Sequence, residues 1–261
     1  MHMVMENNTE KRTAEISSCA GNNYCRVYEK SVVRQVTGEA IRPGGYYLTD
    51  YALGICGFTA GSKILDVGCG SGATVEHLLC NYNYDAVGVD PSPLLLGEGR
   101  RRVSSLPLIE ARGEQLPFAA SVMDGVLAEC TLSVMAEPGR ALEEMHRVLK
   151  PGGLLVIQDV YVRNQAMVAG LRRLPLTVCL AGAMTGPDLT ARVSSAGFQI
   201  LLWEDHSRLL VELAAQLVFA HGSLGRFWEE VTGGSICGSA IQNTVKKSRP
   251  GYLLLIARKP C

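Results

Sequence analysis

No two of the nine cysteines in this 261-residue chain form a C-x-x-C pair. An odd, scattered set argues against a disulfide framework and against a zinc ribbon, and no metal site is expected. An excess of one charge is lacking too: 25 Lys and Arg balance 25 Asp and Glu, with no long like-charge block. A chain of zero net charge carries no electrostatic footprint for nucleic acid or for an anionic membrane surface. No apolar stretch reaches the roughly 18 residues that span a bilayer. The longest apolar helical region, Leu209 to Ala220, is interrupted by Glu212 and Gln216. The start lacks the basic segment and apolar run of a signal peptide, so a cytoplasmic location is expected. Neither an internal repeat nor a low-complexity tract is present. What remains is a globular composition, 47% hydrophobic and 19% charged, long enough for one large domain or a domain plus a cap.

The chain is organised around Lys63 to Gly72, KILDVGCGSG. Ile64, Leu65 and Val67 read as a strand buried on both faces. Glycines then occupy alternate positions, 68, 70 and 72, before a helix whose Val75, Leu78 and Leu79 share one face. Strand, glycine turn and helix bring backbone N–H groups against a nucleotide-like ligand. Gly68-x-Gly70-x-x-Ala73, with Asp90 22 residues after Gly68, also fits a relaxed dinucleotide fingerprint. An NAD(P)-dependent oxidoreductase is therefore one reading. Asp66 argues against it, because a carboxylate at the strand end would repel a pyrophosphate and welcome a cation. S-adenosylmethionine carries a sulfonium and an ammonium and no phosphate. LDVGCGSG, followed by GVDPS at 88–92, resembles the first two motifs of class I S-adenosylmethionine-dependent methyltransferases.

From Lys63 onward strands and helices alternate. Strands are expected at 63–67, 85–90, about 107–110, 122–129, 154–160, 198–203 and 252–257. Helices are expected at 72–81, 92–102, 139–149, near 163–174 and near 186–196. Lys150-Pro151-Gly152-Gly153 reads as a helix stop, and Thr49 as the N-cap of a helix over 50–56. The alternation predicts an α/β fold, a Rossmann-like doubly wound sheet. The resemblance implies seven strands, with GYLLLIARK as an antiparallel last one. Residues 1–48 are expected to form an N-terminal arm and lid, with Arg42, Tyr46 or Tyr47 reaching the ligand. Residues 49–261 would form the methyltransferase domain, with a helical insertion over about 207–230 and a glycine-rich loop at 233–239, together the segment 207–249.

Doubly wound sheets bind ligands at the carboxyl ends of their strands. Asp66, Asp90, Glu129, Cys130, Asp159, Tyr161 and His206 fall there. The resemblance runs from about Tyr46 to His206 and extends to the methyltransferase type 11 group of ubiquinone and menaquinone biosynthesis. EQLPF at 114–118 is similar to the family segment beside the adenine, VMDGVLAE at 122–129 to the fourth motif, and RVLKPGG at 147–153 to the stretch before strand five. Arg112 stands where the family often has an acid. The resemblance implies S-adenosylmethionine as cofactor, S-adenosylhomocysteine as product, and a cofactor-binding set of Asp66, Gly68, Cys69, Gly70, Asp90, Pro91, Gly113, Glu114, Ala128 and Glu129.

The acceptor is expected to be a small molecule. ECTLSV at 129–134 and VCLAGAM at 178–184, with DVY at 159–161 and DLTARVSSAGF at 188–198, are similar to parts of arsenite methyltransferases. In that family two cysteines at such places hold trivalent arsenic, soft sulfur suiting a thiophilic centre. This implies Cys130 and Cys179 as acceptor ligands; the bland alternative is simple packing. The chain departs from that family in having no clear counterpart of an additional cysteine, Cys25 being poorly placed. His206 is the base candidate for an oxygen or nitrogen acceptor, whereas His77 and His146 read as structural. A non-catalytic protein of this fold acting as partner subunit is the third reading, and the chain is expected to be a monomer or homodimer.

Overall fold

The computed structural model describes residues 28, 34, 36–174, 176–234 and 237–261. In chain order the elements are α1 (Tyr47–Cys56), β1 (Lys63–Val67), α2 (Ala73–Tyr82), β2 (Asp85–Asp90), α3 (Pro93–Arg102), β3 (Leu108–Glu110), β4 (Met123–Glu129), α4 (Pro138–Val148) and β5 (Leu149–Val162). They continue as α5 (Val168–Arg172), β6 (Met184–Thr185), α6 (Gly186–Ser195), β7 (Gln199–Asp205), α7 (Ser207–His221), α8 (Leu224–Thr232), α9 (Gly238–Ser248) and β8 (Pro250–Arg258).

The sheet runs β3-β2-β1-β4-β5-β8-β7, with β6 a two-residue addition beside β5. The pairs among β1 to β5 are parallel, and β8 is antiparallel to both of its neighbours. The expected doubly wound sheet with an inserted antiparallel strand is thus the observed one. Inserting β8 buries it nearly end to end, which is why its sequence, YLLLIA, is continuously apolar.

Side-chain alternation divides the core in two. Leu65, Val67, Val126, Ala128, Leu155 and Ile157 pack against Leu142, Met145 and Val148 of α4 and Leu189 and Val193 of α6. Ile64, Leu127, Val156, Tyr252 and Leu254 face the other way, toward Leu48 and Leu53 of α1, Val75 and Leu78 of α2, and Ile241 of α9.

Several local expectations are corrected. Thr49 does not cap α1; the helix begins at Tyr47 and buries Thr49 in its first turn. The Lys150-Pro151-Gly152-Gly153 stop does end α4, but β5 starts at Leu149. A register shift between Met123 and Gly125 absorbs the irregular residues. The expected 163–174 helix is a 3₁₀ turn, Gln165–Met167, followed by the short α5. The insertion is three helices: left-handed Gly222 and Gly233 end α7 and α8, and Gly238 opens α9 inside the predicted loop.

The loop between α5 and β6 lies tightly on the segment after β4. A Cβ on Gly182 would sit 1.8 Å from the Ser133 carbonyl oxygen. Only glycine allows that approach. Gly182→Ala is therefore expected to cost roughly 1–3 kcal/mol, read as a lower urea midpoint at unchanged slope; an unchanged midpoint would show that the loop shifts freely.

Candidate functional site: a glycine-turn cleft beside a thiol pair

β1 delivers the chain into a turn in which Gly68, Gly70 and Gly72 have φ of 78, 56 and 75°. A Cβ on Gly68 would lie 1.9 Å from Thr131 Oγ1, so the turn's left-handed path and its contact with the residues after β4 both need glycine. The N–H of Gly68 donates to the Val89 carbonyl at 2.8 Å, and that of Gly70 to Asp90 Oδ2 at 2.9 Å. Asp90 Oδ1 accepts from Ser92 N–H at 2.8 Å. Asp90 thus ties the turn to the start of α3, while Ser92 is the N-cap that accepts from Leu95 N–H.

Over this turn opens a cleft of about 240 Å³. Its walls carry five carboxylates, Glu39, Asp66, Asp90, Glu114 and Glu129, against two guanidiniums, Arg42 and Arg112. Asp66 is 3% exposed. Burial, and then the Glu129 charge, push its carboxyl well above the ordinary range, and Arg42 only partly opposes this. A bound cation would draw it back to its charged form. The donor set fits a cationic ligand with hydroxyl groups and does not fit a pyrophosphate.

Beneath the cleft lies a closed polar ring. Arg42 pairs with Glu129 Oε2 at 3.1 Å. Its Nη1 donates to Thr74 Oγ1 at 2.9 Å and its Nη2 to Thr49 Oγ1 at 2.8 Å. Those hydroxyls donate onward to Glu129, Thr49 to Oε1 at 2.6 Å and Thr74 to Oε2 at 3.1 Å. Gln158 Nε2 adds a bond to Oε1 at 2.7 Å. Arm, α1, α2, β4 and β5 each contribute one member.

Cys130 follows β4 with φ of 53°, and its N–H donates to the Gln158 carbonyl at 2.7 Å. Its thiol lines the cleft. The neighbouring Cys179 thiol, then burial, push its pKa well up. The two cysteines, 49 positions apart in the chain, are side by side. Just behind them Asp159 is 2% exposed. Burial raises its carboxyl to about 6, although it accepts from the Ser133 hydroxyl and N–H.

A methyltransferase domain family model matches residues 65–157. A Halobacterium salinarum arsenite methyltransferase is 32% identical over 148 residues, covering 53% of this chain and 38% of the relative. The crystal structure of the [4+2]-cyclase SpnF superposes with a TM-score of 0.66 and 28% identity, covering 82% of this chain and 80% of that one. Haemonchus contortus phosphoethanolamine N-methyltransferase 2 with S-adenosyl-L-methionine superposes with a TM-score of 0.70 and 16% identity, covering 90% of this chain and 57% of that one. Residues 65–157 carry a methyltransferase domain. The chain spans between 38% and 57% of the length of the first curated relatives it matches.

In this methyltransferase domain Asp66, Gly68, Cys69, Gly70, Asp90, Pro91, Gly113, Glu114, Glu129 and Cys130 all line the cleft. Ala128 does not. It is fully buried in the α4 and α6 layer, because alternation along β4 turns it away from Glu129. Cys179 reaches the cluster from the neighbouring loop. His206 does not join it: at the end of the sheet's edge strand, β7, its Nε2 pairs with Glu204 at 2.9 Å and its ring lies edge-on to Tyr51. His77 pairs with Asp50 and stacks on Tyr46, and His146 packs on Phe198. Tyr47 is 64% exposed. Cys25 and most of 24–33 lie outside the described residues.

The sequence reading missed Thr49 and Thr74 as Glu129 partners, and also Gln158, Tyr28 and Tyr252. Gln158 and Tyr252 were findable, being polar breaks in apolar strands. The two threonines, ordinary helix positions by sequence, gave no such signal.

Arg42→Met would strand Glu129 in the interior and is expected to destabilise by about 3–5 kcal/mol in urea unfolding; a loss below about 1 kcal/mol would mean that water replaces the guanidinium. Asp159 supplies a pH test. A raised native pKa means that the folded state holds the proton more tightly than the unfolded chain. Its contribution is full below about pH 4 and is lost as pH rises through about 6. The wild-type minus Asp159→Asn stability difference should therefore fall by on the order of 3 kcal/mol across that window; a flat difference would show an unperturbed carboxyl.

Proposed function

We propose that this protein transfers the methyl group of S-adenosylmethionine to a small-molecule acceptor, leaving S-adenosylhomocysteine. The observation that carries the proposal is the acid-rich cleft over the glycine turn, with Asp66 buried at its base. S-adenosylmethionine supplies a methyl carbon made electrophilic by its sulfonium. The chain's own part is to bind, align and exclude water. In this reading Asp66 and Glu129 offset the ligand's positive charge, Asp90 faces the ribose, and the backbone of Gly113 and Glu114 flanks the adenine. The arm contributes Glu39 to the cleft wall and Arg42 to the ring beneath it. A pyrophosphate-bearing cofactor is disfavoured by the same carboxylates. The cyclase with this fold is a reminder that fold alone does not prescribe methyl transfer.

A finer reading rests on the thiol pair. Contact between Cys130 and Cys179 supports a soft acceptor held by two sulfurs, and similarity to an arsenite methyltransferase over 148 residues supports arsenite as its first candidate. Such an acceptor attacks with its own lone pair and needs no general base. Among the described residues no histidine lines the cleft.

The test is calorimetric binding of S-adenosylmethionine alongside release of S-adenosylhomocysteine with arsenite and glutathione. Cys130→Ser and Cys179→Ser are expected to lose turnover by roughly 100-fold or more and to keep cofactor binding. Asp66→Asn is expected to weaken cofactor binding about tenfold. Binding without turnover in wild type removes arsenite as the acceptor; absence of binding overturns the whole assignment.

A further inference from the structure

Three buried carboxylates at the base of the cleft are unequally supplied with hydrogen-bond donors. Asp90, on β2, accepts the N–H groups of Gly70 and Ser92. Glu129, on β4, holds the guanidinium, hydroxyls and amide of the polar ring. Asp66 is on β1, the strand between those two, and is as buried as they are while lining the cleft. Among the described residues nothing donates a hydrogen bond to its carboxylate, and no cation stands within ion-pair distance of it. Arg42 is the cation that acts on it, but each guanidinium nitrogen is already committed. Nε donates to the Gly45 carbonyl at 3.0 Å, Nη1 to Thr74, and Nη2 to Thr49 beside Glu129.

Charges face Asp66 from every element around it. Burial first, and then Glu129 on β4, hold it toward its neutral form; Asp90 on β2 adds to this, and Arg42 from the arm opposes it. The Cys69 thiol of the turn is held protonated by burial and then by Asp66 itself. An ionised carboxylate in this position has lost its water and gained no donor. The empty site therefore favours the protonated acid, and a positive charge entering the cleft reverses that balance.

We propose that Asp66 is the specificity-determining residue that distinguishes the charged cofactor from its neutral-sulfur product, keeping a proton in the empty or product-bound cleft and giving it to solvent when a sulfonium is bound. The inference rests on the methyl-transfer reading above. S-adenosylhomocysteine shares the adenosine and amino-acid ends of S-adenosylmethionine and differs by the methyl group and one positive charge. A site that matched only shape and hydrogen bonds would hold the two nearly alike. Asp90 and Glu129 already have their donors, so the response to an added charge falls to Asp66. On transfer the C–S bond breaks, its electron pair stays on sulfur, and the acceptor's lone pair forms the new bond to carbon. Asp66 then takes a proton from solvent. The site no longer offers the product the attraction that held its precursor.

The test is calorimetric titration of the full-length protein with each of the two ligands, in buffers of different ionisation enthalpy, which counts the protons exchanged on binding. Between about pH 5.5 and 7.5, wild type should release up to about one proton more with S-adenosylmethionine than with S-adenosylhomocysteine. By linkage, the ratio of the two affinities should then rise with pH, by up to about tenfold per unit. Asp66→Asn keeps the shape but cannot ionise, and it subtracts any proton that the ligands themselves exchange. Its proton count should be the same for both ligands and its affinity ratio flat with pH. Equal proton release for the two ligands in wild type overturns the proposal, and so does an excess that persists in Asp66→Asn. The wild-type counts need no variant, so the first of these decides even where Asp66→Asn does not fold. Both outcomes leave the methyl-transfer reading standing. That reading fails, and this inference with it, if S-adenosylmethionine does not bind wild type.

Discussion

A single buried carboxylate governs how the upper half of this protein is assembled. Glu129, 8% exposed, ends the central strand β4, where a charge away from water is tolerated only if it is paired and fully hydrogen-bonded. One guanidinium, two hydroxyls and one amide meet that requirement, and they come from four separate segments of chain. Each of those segments is thereby fixed relative to the strand ends. The turn beside the ring and the arm above it inherit that placement, so the cleft has its shape because one charge had to be satisfied.

The same economy of contacts builds the neighbouring thiol site. Gly182 allows a loop remote in sequence to touch the residues after β4, and Cys130 accepts a left-handed backbone. The insertion of β8 between β5 and β7 brings Tyr252 against Cys130. Cofactor cleft and thiol pair therefore share a wall, the segment Glu129–Thr131, which lines the cleft on one side and meets the cysteine loop on the other. A donor on the turn and an acceptor on the sulfurs would be held by adjacent residues of one strand end.

Legibility from sequence followed the range of the interaction. Strand and helix identity in the central region was readable because period-2 and period-3.6 burial patterns are local. Boundaries failed where two local signals overlapped. A proline and two glycines ended α4, yet were absorbed into β5 by a register shift. Gly238, read as loop, opened α9. In the site, the residues of the turn were legible because glycine spacing and strand-end acids are contiguous in the chain. Ala128 was misplaced by one step of alternation. His206 was misplaced because sequence gave its distance along the chain and not its position at the far edge of the sheet.

By itself the sequence determined the doubly wound architecture, the glycine turn and the acids around it, since each rests on residues within a few positions of one another. Tertiary structure alone decided that Arg42, Thr49 and Thr74 close on Glu129. It alone decided that Cys179 meets Cys130 with a phenol beside each, and that His206 stands apart. Those pairings join residues 49 to 151 positions apart. Nothing in a local pattern encodes them, because they arise only when strand order, loop approach and buried charge are satisfied together.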